Sequence, residues 1–170
     1  MRDARKLLGM VKALQDELDQ RTGPPDEGAR ATSQSVILTS VIRGTRGYIE
    51  SVSNQINGAY QNGWYDACAV MIRRLLETLI IECFEKHGLA AKIKNSTGDF
   101  LYLKDLIDRC LQETAWNLSR NCKQAMPKLK DVGDKSAHSR RFNAHRGDIE
   151  PLLKDIRLVV QELVYLASLK

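Results

Sequence analysis

Residues 131–146, DVGDKSAHSRRFNAHR, gather the side chains of this chain best suited to chemistry. They hold His138 and His145, two of the three histidines, together with Arg140, Arg141 and Arg146. A guanidinium keeps its proton across the working range, so it clamps phosphate. An imidazole titrates near neutrality, so it can give or take a proton. Together they could support metal-independent cleavage of RNA, with the ribose 2′-hydroxyl as nucleophile. They could equally hold a phosphate and do no chemistry, or His138 could simply cap or hydrogen-bond a neighbouring helix. Within the segment, Gly133 is expected to end a helical turn in the left-handed position. Asp134 is then expected to cap the next turn. Ser136 and Ala137 are small enough to let another element approach. His138 falls at or beside a helix end, near Lys135, Arg140 and Arg141.

The charge pattern singles out the same region. Arg120–Arg146 carries eight Lys/Arg against two Asp, a net of +6, whereas the remainder carries 18 basic and 19 acidic residues, a net of −1. The basic character therefore belongs to one stretch. Such a stretch attracts a phosphate, a nucleic acid or an acidic partner, or else forms a solvated face.

The elements that must position these residues read as helices. The chain has only four prolines, and its apolar residues recur at helical spacing. From Trp64 to His87 they cover most of the wheel, as on a central helix. Lys86 and His87 suit the negative end of its dipole, and Gly88 suits the position after it. Asp66, Arg73 and Glu77 lie seven and four apart on one stripe of this helix, with Arg74 beside them. Charges on a central helix must pair or face a cleft, and Arg73 or Arg74 is spaced to pair with Glu77.

Before it, Ile49, Val52, Ile56 and Tyr60 predict a helix over 48–60. The run Val36–Ile42 also reads as helix, interrupted by Gly44 and Gly47. After the central helix, KNSTGDF (94–100) reads as a loop. Leu103, Leu106, Ile107, Cys110 and Leu111 mark a further helix, and Leu118, Cys122, Ala125, Met126 and Leu129 the next. Pro127 should kink that helix or start a new turn. The last helix is expected to start near Asp148, with Asp148 or Gly147 as N-cap and Pro151 in its first turn. Its inner face would be Ile149, Leu152, Ile156, Val160, Leu163 and Val164. Residues 1–20 are expected to form an accessory amphipathic helix striped by Leu7, Leu8, Val11, Leu14 and Leu18, which needs a surface of its own domain or of a protein partner. Residues 21–34 are a linker by composition, and 35–170 form the main domain. The expected fold is all-α, an up-and-down bundle of about four core helices.

Several function classes find no support. Cys68, Cys83, Cys110 and Cys122 lack clustered metal-ligand spacing, and no metal or other cofactor is expected. Unpaired cysteines fit a reducing, cytoplasmic setting. Residues 1–12 are charged throughout, unlike a signal peptide, and no apolar run approaches the ~20 residues that cross a membrane. There is no P-loop and no GxGxxG after a strand.

Two blocks carry a resemblance. GDKSAH (133–138) and NGWYDACAVMIRRLLETLIIE (62–82) resemble the bacterial HEPN-like domain-of-unknown-function family 4145, over roughly Thr45 to Lys170. The resemblance implies a HEPN-like helical bundle that forms a homodimer. Many HEPN domains are metal-independent endoribonucleases of toxin and antiphage systems, and others bind nucleotides or serve as non-catalytic modules. Active members carry an arginine, four to six residues, then a histidine. By that resemblance His138 takes the histidine's place and Asp134 that of the polar residue after the arginine. Gly133 stands where the arginine would be, which puts the usual ribonuclease activity in doubt. Arg140 and His145 fit the bare spacing, but outside the matching block. Arg73 or Arg74 could supply the missing cation in space, with Glu77 as the polar residue of the central helix that faces the motif. The implied role is binding of RNA, a nucleotide or a protein partner by a dimer in a bacterial defence or stress system. Lys135, His145 and Arg146 would contribute to binding. The alternatives are a ribonuclease using His138 with Arg140 or Arg141, or a subunit of a larger assembly.

Overall fold

In a computed structural model, which describes Met10 and residues 35–170, the chain folds as an all-α bundle. The accessory helix and linker expected before residue 35 lie outside the described residues, apart from Met10, which is helical. The elements are α1 (Thr39–Ile42), α2 (Gly47–Gln61), α3 (Tyr65–Lys86), α4 (Leu103–Gln112), α5 (Arg120–His138), α6 (Arg146–Ile149) and α7 (Leu153–Leu166). Single 3-10 turns cover Ala90–Ile93 and Glu150–Leu152. Among the described residues there is no strand, only an isolated antiparallel bridge between Lys94 and Phe100.

The 22-residue α3 is the axis of the bundle and touches α2, α4, α5 and α7. Its apolar residues fall nearly all round because it has neighbours nearly all round. Cys68, Ala69, Ile72, Leu75, Leu76, Leu79, Ile80, Cys83 and Phe84 are all buried. The predicted inner residues of α2, Ile49, Val52, Ile56 and Tyr60, are buried against it. Truncating a fully buried leucine such as Leu79 would cost about 2–5 kcal/mol.

Helix ends explain the connections. After α2, Gly63 takes φ +74°, its amide donates to the Tyr60 carbonyl, and the Trp64 amide reaches Ala59 at 2.8 Å. After α3, Gly88 takes φ +71°, with its amide on Glu85 and that of Leu89 on Phe84. These paired bonds close a helix through a left-handed residue, which glycine adopts without a Cβ penalty. At 94–100, the Asn95 side chain accepts from the amides of Thr97 and Asp99, so the expected loop is a tight turn.

Three expectations need correction. Val36 and Ile37 are buried in a bend before the short α1, not in a helix. The Asn57 amide pairs with both backbone groups of Ile37 (2.9 and 3.0 Å), which offers that backbone an alternative to helical bonding. Gly47 begins α2 instead of interrupting a helix. The last helix is preceded by α6, whose N-cap is His145, paired reciprocally with Asp148 as a capping box, and Pro151 lies in the 3-10 turn.

Candidate functional site

The basic stretch sits on two elements. Asp131–His138 is the C-terminal part of α5, and Ser139–His145 is an irregular segment bent at Arg140 and Arg141. Helix α5 starts at Ser119, whose hydroxyl accepts from the Cys122 amide at 3.2 Å. It buries Cys122, Ala125, Met126, Leu129, Val132 and Gly133, a helical stripe facing the core. Pro127 lies inside this helix on its exposed side, so the helix runs through it. The missing amide and the ring are accommodated where solvent can satisfy the freed carbonyl.

That continuity changes the reading of Gly133. It is neither in the left-handed region nor at a helix end; it is a buried residue inside α5. A Cβ there would lie 2.5 Å from Arg73 Cβ and 3.0 Å from the Ala69 carbonyl oxygen. Ala69 and Arg73 are one turn apart on α3, so α5 presses on one stripe of the central helix at this point. Glycine is required by that approach, not by backbone conformation. Asp134 accordingly is not a cap.

Instead, Asp134 completes a charge network between the two helices. Arg73 Nε donates to Asp134 Oδ1 at 2.6 Å, and Arg73 Nη1 lies 3.6 Å from Glu77 Oε2. The Lys130 ammonium donates to Asp134 Oδ2. Burial opposes ionisation of Asp134, but hydrogen bonds from Lys130 and Arg73 outweigh it and hold the carboxyl below its ordinary range. The structure thus brings Arg73, Glu77 and Asp134 together and adds Lys130. Arg74 is exposed on another side of α3.

His138 is the last residue of α5, four residues beyond Asp134 and so on the same side of the helix. Its side chain is exposed, as are those of Arg140 and Arg141, and none of the three has an ion-pair or side-chain hydrogen-bond partner among the described residues. Lys135 is also exposed, tied to Asp131 at 2.8 Å; that bond raises its pKa. The segment after the helix is fastened at its far end. The Ala144 amide donates to Asp66 Oδ1 at 3.0 Å, and the His145 amide to Asp148 Oδ2 at 2.8 Å. Asp66, in the first turn of α3, is therefore the anchor of this segment. Arg146 pairs with Glu150 at 3.2 Å. The buried Tyr60 hydroxyl lies against its guanidinium without full hydrogen-bond geometry, and together with Glu150 it raises the Arg146 pKa.

Sequence reasoning missed two members of this architecture. Lys130 carried a signal, four residues before Asp134, at the spacing of helical ion pairs. The link from Asp66 to Ala144 carried none, because a backbone amide has no sequence signature. A buried carboxylate, Glu82, sits on α3 away from this cluster and is paired with the Tyr48 hydroxyl and Arg46 (3.2 Å).

The cysteines are free and buried. Burial pushes the thiols of Cys68, Cys110 and Cys122 up to about 12, so they stay protonated and unreactive near neutral pH. No group of three or more His, Cys, Asp or Glu among the described residues is arranged to hold a metal ion. No described helix is long and apolar enough to cross a membrane.

The family model of a domain of unknown function, DUF4145, matches residues 54–170, and the chain belongs to that family. Neither a curated protein nor a solved structure matches.

Proposed function

We propose that this DUF4145 chain is a HEPN-like dimeric module that holds the phosphate backbone of RNA at the end of α5 and along the segment after it, without the ribonuclease chemistry of active HEPN domains. The observation that carries this reading is the state of His138, Arg140 and Arg141. They are exposed and unpaired among the described residues, on a segment fastened at its far end by Asp66 and Asp148. Arginines that spend no charge on their own fold, with an exposed imidazole beside them, are available to phosphates. A nucleotide is the smaller ligand that the same groups would accept.

The position of Gly133 supports the non-catalytic form. Any side chain there meets α3, so an arginine at that place in α5 has no room. Arg73 occupies the neighbouring space, but its guanidinium is engaged with Asp134 and Glu77.

Filter binding of labelled RNA across a salt series tests this reading. Affinity should fall steeply with salt, because binding releases counterions from the backbone. Absence of binding at low salt, or binding indifferent to salt, would overturn it. A second reading, a metal-independent endoribonuclease, draws on the exposed imidazole of His138 beside Arg140 and Arg141. Incubation with RNA in EDTA separates the two. Cleavage lost in His138→Ala would favour the enzyme, and no cleavage, or equal cleavage by both proteins, would exclude it.

A further inference from the structure

A groove of about 740 Å³ lies on the side of the bundle where the chain enters the described body. Val41 of α1, Leu118 before α5, and Leu158, Tyr165 and Leu166 of α7 give it apolar walls. Tyr165 is 83% exposed although it belongs to the last helix of a packed bundle. The charged groups at the groove are already used by the fold. Both Glu162 oxygens are held by Ser119, one by its amide at 3.0 Å and one by its hydroxyl. The Lys170 ammonium donates to the Ser40 carbonyl. What remains on offer is mainly apolar surface, edged by the uncharged polar residues Ser40, Asn117 and Gln161, which suits an amphipathic helix stripe better than an anion.

We propose that the occupant is residues 2–20 of the same chain, docked through the stripe Leu7, Leu8, Val11, Leu14 and Leu18. The entry point of the chain argues for it. Arg157 holds the carbonyls of Ser35 and Val36 at 2.6 and 3.3 Å, and Asn57 holds Ile37. Leu158 and Gln161, both groove residues, are the next residue and the next turn after Arg157. Ser40 and Val41, shortly after Ser35, line the same groove, so the described body begins beside it. The linker 21–34 reaches up to roughly 45 Å when extended, and a helix over 2–20 is about 28 Å long. Docking within the chain is thus within reach, and the tether gives it a high effective concentration. A groove and a stripe that each need cover then satisfy one another.

The test uses the full chain with a spin label on Lys12→Cys, a position off the stripe; the native thiols are buried and do not compete for label. In isotope-labelled protein, the amide signals of Leu158, Gln161 and Tyr165 should lose most of their intensity. In a mixture of spin-labelled unlabelled-isotope chains with isotope-labelled chains lacking the spin label, they should keep it. The double substitution Leu14→Glu, Leu18→Glu should restore the signals, since glutamate keeps helix propensity but removes the apolar stripe. Broadening that appears in the mixture as well would mean exchange onto a second copy and would overturn the proposal. So would no broadening, or broadening that persists in the glutamate variant, which would mark mere tethering.

Discussion

Within residues 131–146, Gly133 and Asp134 face the central helix, whereas His138, Arg140 and Arg141 face solvent. Both groups sit in one short stretch of similar composition. In the first, the Asp134 carboxylate has partners inside the protein, and the glycine is fixed by a backbone 3.0 Å from where its Cβ would be. In the second, the side chains have none among the described residues. Position relative to α3, not residue type, separates structural charge from available charge. A histidine–arginine cluster in a sequence can hold both kinds side by side.

The sharpest way to break this comparison is Gly133→Ala. In an ordinary helix interior the change would stabilise by about 0.5–1 kcal/mol. Against Arg73 and Ala69 it should destabilise, by about 3 kcal/mol, the upper part of what overpacking costs. Urea unfolding gives the sign directly, and a gain in stability would mean that the two helices are not held together here.

Asp134→Ala comes next. It removes the hydrogen-bonded partner of Arg73 Nε and of the Lys130 ammonium in a partly buried place, leaving Arg73 only its longer pairing with Glu77, and should cost about 2 kcal/mol. A midpoint unchanged in denaturant titration would show that water satisfies Arg73 equally well. Acid titration refines the same point. The Asp134 carboxyl is held below its ordinary value, so its contribution is complete above the ordinary aspartate range and is lost as pH falls through the lowered value. The stability gap between wild type and Asp134→Ala should therefore be constant near neutrality and close only in strong acid. A gap that closed near neutral pH would assign the effect to another group.

The smallest effect on stability belongs to the solvent-facing half. The pair Arg140→Ala, Arg141→Ala should leave unfolding within about 0.5 kcal/mol of wild type. It should lower the salt dependence of the proposed RNA binding by about two phosphate contacts. A loss of stability comparable to that of Asp134→Ala would erase the distinction between the two halves.

Periodicity carried most of the bundle. The apolar pattern from Trp64 to His87 is dense because α3 is surrounded, and the stripe of α2 is regular because one face packs. What went astray lay where a local signal competed with a tertiary one. Pro127 and Gly133 both read as helix breakers, yet the first is on the exposed side of α5 and the second is a contact surface. Breaking the helix there turned Asp134 into a cap and hid its bonds to α3. Arg73 and Glu77 were legible as a charged stripe, because charge on a central helix is costly unless matched. That the match is Asp134, sixty-one residues away, is a fact of packing. Glu82 was absorbed into the apolar run, although it too is buried and needs its Tyr48 and Arg46 partners.

The contact at Gly133 also bears on how a ligand would be met. His138 stands five residues further along α5, about 7.5 Å of helix. With backbone against backbone on one side and a charge pair on the other, α5 cannot slide or roll along α3 without breaking both. Its end is therefore already in place before anything binds. A phosphate arriving there would not have to immobilise the helix, so the entropy of ordering it falls on folding and not on recognition.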